Sequence, residues 1–152
     1  MSTITASVDV NVPIAPVYDQ WTQFETFPQF MEGVDRVQQL TPTKTHWDVS
    51  VGGVRREFDA TITEQHPEER VAWRSDNGPQ HAGVITFHRL GDDQTRVTAQ
   101  MDIDPEGFAE NVADKSGLLS QRVKGDLKRF KEFIEQQGHA TGAWRGDVNR
   151  PE

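Results

Sequence analysis

Apolar and polar residues alternate from Ile4 through Ala6, Val8 and Val10 to Val12, the period of two that marks a half-buried strand, and Pro13 ends the run. The next residues predict a short helix over Pro13 to Trp21. Pro16 falls in its first turn, where the missing N–H costs nothing, and Val17 and Trp21 share a face. A second short helix is predicted over Phe24 to Met31, limited by Pro28. Phe24, Phe27, Phe30 and Met31 make this the most aromatic stretch of the chain. Such rings either plug the open end of a sheet or line the mouth of a ligand site.

One kind of element then repeats. Val34 to Leu40, Thr45 to Val51, Val54 to Glu64, Arg70 to Ser75, Ala82 to Leu90 and Thr95 to Ile103 read as strands, separated by short turn-forming stretches such as Gly52-Gly53 and Asp76-Asn77-Gly78-Pro79-Gln80. Connections this short hold no crossover helix, so the pairing is antiparallel and mostly sequential. After Asp104-Pro105 the period changes: Phe108, Val112, Leu119, Val123, Leu127, Phe130 and Ile134 recur at three- and four-residue spacing, with Lys124, Lys128, Lys131 and Glu132 on the other side. That predicts a long amphipathic helix ending near Gln137-Gly138. Its stripe needs a concave apolar surface, which a twisted seven-stranded sheet provides. The expectation is an α+β domain over residues 1–137 and a mobile tail over 138–152 that contains Arg145-Gly146-Asp147.

Alternation also sorts the candidate chemistry. Trp47, Val49 and Val51 fall on the inner face of their strand, leaving His46, Asp48 and Ser50 outside. In the next strand Val54, Arg56, Phe58, Ala60 and Ile62 share one face. A guanidinium aimed at an apolar interior needs an anion, carbonyls or water, so Arg56 either serves a ligand or sits at the mouth edge in an ion pair. Val71, Trp73 and Ser75 form the next inner row; Gly83, Ile85 and Phe87 form another, which places His88 opposite. Val97, Ala99, Met101 and Ile103 complete the set. The small residues Ala60, Gly83 and Ala99 remove volume from a face of large rings. Either the long helix approaches closely there or a ligand-sized cavity remains.

The 152 residues carry 16 Lys plus Arg against 24 Asp plus Glu, a formal charge of −8. With no concentrated basic surface outside the long helix, nucleic acid is not expected as a partner. The absence of cysteine removes disulfides, thiolate nucleophiles and thiolate-ligated metals. No stretch approaches the length of a membrane span, and a cytoplasmic protein, monomer or homodimer, is expected. The five histidines are scattered, without HExxH or an i,i+4 helical pair, so no metal site is expected and no cofactor. Asp102, Asp104 and Glu106, near the end of the last strand, are accounted for by solvation and helix N-terminal polarity.

The order of strand, two small helices, six strands and long helix resembles the helix-grip fold of the START-like (SRPBCC) superfamily, specifically its polyketide cyclase/dehydrase and lipid-transport branch. The residues that carry the resemblance are Val10 to Trp21 with Phe24 to Met31, Val84-Ile85-Thr86-Phe87 with Thr95-Arg96-Val97-Thr98, and Leu127-Lys128-Arg129-Phe130-Lys131-Glu132-Phe133-Ile134-Glu135. It implies a cavity between helix and sheet for a hydrophobic or aromatic small molecule, lined by Phe27, Phe30, Trp47, Phe58, Trp73, Ser75, Phe87, Met101, Leu119 and Val123. Cyclisation or dehydration there would need donors that polarise carbonyls, for which Arg56 and Tyr18 are the catalytic candidates, with Ser75 and His88 behind them. The alternative is a non-catalytic carrier of a lipid, quinone or similar ligand, and the apolar positions Phe58, Ala60 and Ile62 suit it.

Overall fold

The computed structural model describes residues 2–51, 54–78, 80–104 and 115–144. Seven strands, β1 (Ser2–Val10), β2 (Val34–Thr41), β3 (Lys44–Val51), β4 (Val54–His66), β5 (Arg70–Ser75), β6 (His81–Gly91) and β7 (Gln94–Ile103), form one sheet. Its order is β1-β7-β6-β5-β4-β3-β2, so the meander runs from β2 to β7 and β1 closes onto β7. Helix α1 (Ile14–Trp21) and a 3₁₀ helix (Phe24–Gln29) follow β1, and α2 (Lys115–Gln137) ends the fold. This is the helix-grip topology. Phe108, Val112 and Glu106 lie outside the described residues.

Antiparallel register aligns the inner rows. Ala6, Ala99, Ile85 and Val71 run across β1, β7, β6 and β5, and Ile62, Trp73, Gly83 and Met101 run across β4 to β7. On α2, Leu119, Val123, Leu127, Phe130 and Ile134 are buried against this concave face. The second short helix is 3₁₀ rather than α: Pro28 within it has no N–H, and the Phe30 N–H bonds to the Phe27 carbonyl three residues back. Its rings plug one end of the sheet. Trp21 meets Phe130, Phe27 and Phe30 with centroids 5.0, 5.3 and 5.4 Å apart.

Two features depart from the solvent-facing roles read from pattern. Lys131 Nζ donates to the Asp9 carbonyl at 3.0 Å and pairs with Glu135, whose carboxylate accepts the Asn11 N–H at 2.8 Å, so the polar side of α2 fastens it to the end of β1. In the stretch expected to be a mobile tail, Thr141 and Trp144 are held. The fully buried Gln20 amide accepts the Thr141 N–H at 2.9 Å and donates to Thr141 Oγ1 at 3.1 Å, and the Trp144 N–H donates to Thr22 Oγ1 at 3.1 Å. Residues 145–152 lie outside the described residues.

Candidate functional site

Away from the aromatic plug, α2 and the sheet leave a cavity of about 80 Å³. Its walls are Trp47, Val49 and Phe58 of β3 and β4, Trp73 of β5, Met101 and Ile103 of β7, and Leu119 and Val123 of α2. Met31 to Val34 form part of its edge, where Glu32 is exposed. Trp47 stacks between Phe58 and Trp73, with centroids 5.6 and 5.7 Å away. Its Nε1 donates to Thr45 Oγ1 at 2.8 Å, which satisfies the buried N–H. The Trp73 Nε1 is buried with no hydrogen-bond partner among the described residues.

The volume removed at Gly83 is neither a contact with the helix nor open space. A Cβ there would stand 2.6 Å from Trp73 Cζ2 and 2.9 Å from Met101 Sδ. The indole lies across the bare backbone of β6, so Gly83 lets Trp73 turn into the interior and narrow the cavity. The result is far smaller than the roughly 300–1,000 Å³ typical of sites for drug-sized ligands. It suits one ring or a short chain.

Three polar residues also line this space. His81 extends the inner row of β6 two residues before Gly83 and is ringed by Phe58, Trp47 and Trp73 at 5.4, 5.7 and 6.2 Å. Its N–H donates to Ser75 Oγ at 3.0 Å. Part of the residue stays accessible, but Nδ1 is buried, and burial pushes the imidazole pKa down to about 4, so the ring is neutral near pH 7. Arg122 and Asp126 stand one helical turn apart on α2 at the edge of the apolar stripe. A Cβ on Gly33 would stand 2.9 Å from the Ser50 carbonyl oxygen and 2.7 Å from Arg122 Nη1, and Gly33 has φ +92°, so the backbone contact and the dihedral both call for glycine at this rim. Asp126 accepts the Glu32 N–H at 3.0 Å and pairs with Arg129. Burial nevertheless pushes its carboxyl up to about 6 against the pull of Arg129, the Glu32 N–H and Arg122. Glu32 in turn lies 3.8 Å from Arg122 and 3.5 Å from Arg129.

Of the residues expected from sequence to bind a ligand, Trp47, Phe58, Trp73, Met101, Leu119 and Val123 line the cavity. Phe27, Phe30 and Phe87 are buried in the packed core outside its walls, and Ser75 supports His81 from outside the lining. Arg56 is on the concave face opposite Val49, half-buried and outside the lining, and its Nη1 donates to the Arg55 carbonyl at 3.0 Å. Tyr18 is fully buried in the core with its ring edge-on to Phe87 at 5.3 Å, again outside the lining. His88 is exposed, because it alternates with the buried Phe87. Sequence reasoning missed His81, Arg122 and Asp126. The signals were the period of two carried back from Gly83 and the i,i+4 pair flanking the helical stripe.

A second depression, about 360 Å³, is lined mostly by outward residues of β4 to β7, among them Thr63, Arg74, Val84 and Gln100, and reaches Trp73 and Gly83 between them. It is a groove on the convex surface, without the aromatic enclosure of the first. No described helix is long and apolar enough to cross a membrane.

The model of the family "polyketide cyclase / dehydrase and lipid transport" matches residues 10–132. A 17.2 kDa protein of Streptomyces lincolnensis, from the melC2-rnhH intergenic region, is 57% identical over 149 residues, covering 97% of this chain and 99% of its own. Among solved structures, an aromatase/cyclase from Streptomyces sp. R1128 superposes with a TM-score of 0.75 at 13% identity, covering 94% of this chain and 99% of its own. A protein from Deinococcus radiodurans does so with a TM-score of 0.71 at 23% identity, over 90% and 99%. Those two likenesses speak for the fold alone. The family match, spanning most of the sheet and α2, places this chain in the polyketide cyclase/dehydrase and lipid transport family.

Proposed function

We propose that the chain binds a small hydrophobic or aromatic molecule, or the apolar end of a larger one, in the cavity between α2 and the sheet. The observation that carries this is a space walled by Trp47, Phe58, Trp73, Met101, Leu119 and Val123, with charged groups confined to one side. Apolar walls supply affinity through burial of about 25 cal/mol per Å² of ligand surface. A few placed polar groups then fix orientation. In this reading Arg122, rather than Arg56, meets an oxygen on the bound molecule.

A second reading, cyclisation or dehydration by polarising a carbonyl, is favoured by the three polar residues in the lining. A guanidinium beside a developing enolate would stabilise charge, and neutral His81 or the carboxyl of Asp126 would move a proton. The aromatase/cyclase relative from Streptomyces sp. R1128 supports that reading by analogy of fold.

Quenching of tryptophan fluorescence by naphthols, quinones and fatty acids tests both, since Trp47 and Trp73 stand in the wall. Saturable quenching by a ring-bearing ligand is expected. Arg122→Met should weaken an oxygenated ligand by about tenfold or more and leave its hydrocarbon counterpart unchanged. Arg56→Met should change neither. A panel in which nothing quenches at saturation overturns the binding reading. Equal affinity of wild type and Arg122→Met for every oxygenated ligand overturns the role of Arg122.

A further inference from the structure

On the convex face, β3 and β4 carry a side-chain cluster that takes no part in the cavity. Antiparallel register sets His46 directly opposite Asp59, and Asp48 directly opposite Glu57. Like charges facing each other across a strand pair are destabilising. Among the described residues, the only basic group within 4.0 Å of the Asp48 and Glu57 carboxylates is His46.

The imidazole is oriented. Its Nδ1 lies 2.6 Å from Asp59 Oδ1, and Asn77 Nδ2 donates to the other oxygen of that carboxylate at 3.2 Å. Nε2 stands 3.4 Å from Glu57 Oε1 and 3.6 Å from Asp48 Oδ1. Those two distances fit a long hydrogen bond to Glu57 and fit equally a cation shared between the three groups. A charge-assisted hydrogen bond between imidazole and carboxylate draws N and O to about 2.7–2.9 Å. Two ligands held at about 2.0–2.1 Å by one tetrahedral zinc ion stand about 3.4 Å apart. The donor atoms of His46, Asp48 and Glu57 all lie within 4.8 Å of one another. The Asp59 carboxylate on Nδ1 supplies the outer support that metal-binding imidazoles commonly have, fixing the tautomer that turns the Nε2 lone pair outward.

We propose that His46, Asp48 and Glu57 bind a divalent transition-metal cation of the zinc class on the convex face, with Asp59 as the positioning residue. One nitrogen and two carboxylate oxygens suit zinc or its first-row neighbours better than magnesium or calcium, which prefer oxygen ligands alone. His46 and Asp48 are partly buried two residues apart on β3 and form the fixed half of the site. Glu57 is exposed and completes it. Remaining coordination positions face solvent, open to water or to a donor from another molecule.

Protons compete for the same imidazole. The hydrogen bond to Asp59 first, then Glu57 and Asp48, raise the His46 pKa against the opposing effect of burial. The other charged or polar groups near it are Arg36 and Gln38 on β2, Lys44 on β3, Arg55 on β4, and Asp76 and Asn77 beyond β5. Lys44 is paired with Asp76 at 3.1 Å, and Arg36 donates to Gln38 at 3.2 Å. Affinity therefore falls as pH is lowered through the titration of His46.

The test is titration of Zn²⁺ into the full chain by calorimetry, with Co²⁺ followed by its visible absorption, in the wild type, His46→Ala, Glu57→Gln and Asp59→Asn. One Zn²⁺ per chain is expected, weakened about 100-fold by His46→Ala and about tenfold by each of the others. Intense tetrahedral Co²⁺ bands should be present in the wild type and absent from His46→Ala. Thermal melts establish that each variant is folded; should His46→Ala fail, Glu57→Gln at its exposed position decides. Binding no tighter than about 1 mM in the wild type, or unchanged affinity in His46→Ala and Glu57→Gln, overturns the proposal.

Discussion

At one end of the space beneath α2, Trp21, Phe30 and Phe130 meet ring to ring with centroids 5.0–5.4 Å apart. At the other end the same helix presents Arg122 and Asp126 beside His81, and about 80 Å³ stays open. Packing at the first end excludes water from rings that each contribute a few kcal/mol of burial. At the second, ionisable groups are held where burial opposes their charge, pushing His81 down to about 4 and Asp126 up to about 6. The closed end is filled by rings alone, whereas the open end joins the packed rings of Trp47, Phe58 and Trp73 to ionisable groups. Such a division is expected of a binding site built on a rigid frame.

The largest expected effect is at the closed end. Phe130→Ala should lower the unfolding free energy by about 3–5 kcal/mol, because the lost ring leaves a void that Trp21 and Phe30 fill only in part. A denaturant melt measures it. A loss under about 1 kcal/mol would mean that the plug collapses freely and the contrast between the two ends is weaker than drawn.

At the open end the effect depends on pH. Asp126 has a folded pKa near 6, above its ordinary 3.8, so the native state holds the extra proton and stability falls as pH rises from about 4 to 6. His81 has a folded pKa near 4, below its ordinary 6.5, so the unfolded state holds the extra proton and stability rises as pH rises from about 4 to 6.5. Each swing is on the order of 3 kcal/mol and they oppose each other. In Asp126→Asn the rising slope should emerge, and in His81→Phe the falling one. Melts at half-unit pH steps separate them; parallel profiles for both variants would remove the proposed antagonism.

A smaller effect is expected at the boundary between the ends. Gly83→Ala pushes Trp73 off β6 and should cost about 1–3 kcal/mol through overpacking. Tryptophan emission, shifted with the melt, would show the displacement. No change in either would mean that Trp73 has room to yield and that the cavity is narrowed by something else.

The course of the chain was legible because each element announces its period. Alternation placed Trp47, Phe58, Trp73 and Met101 on the concave face, and the three-four spacing placed Leu119 and Val123 opposite them. Alternation also put Arg56 inside, and the face is right. A face is longer than a cavity, however: Val49, directly opposite Arg56, lines the open space, while Arg56 itself donates to the Arg55 carbonyl and stays outside the lining. Arg122 and Asp126 were hidden because they border the helical stripe without belonging to it. The convex cluster needed something sequence does not state. His46 with Asp48 and Glu57 with Asp59 are visible as outward pairs, but only the pairing of Trp47 with Phe58 brings the four together.

The buried amide of Gln20 has a practical consequence for anyone shortening the chain. Its side chain joins α1 to Thr26 on one side and to Thr141 on the other, so segments about 120 positions apart share one hydrogen-bonding group. A cut at the end of α2 would strand the Gln20 carbonyl oxygen and one of its N–H groups in the interior, at about 1–3 kcal/mol for the buried group left unsatisfied. Truncation for crystallisation or fusion should spare Trp144, and a tag belongs after it.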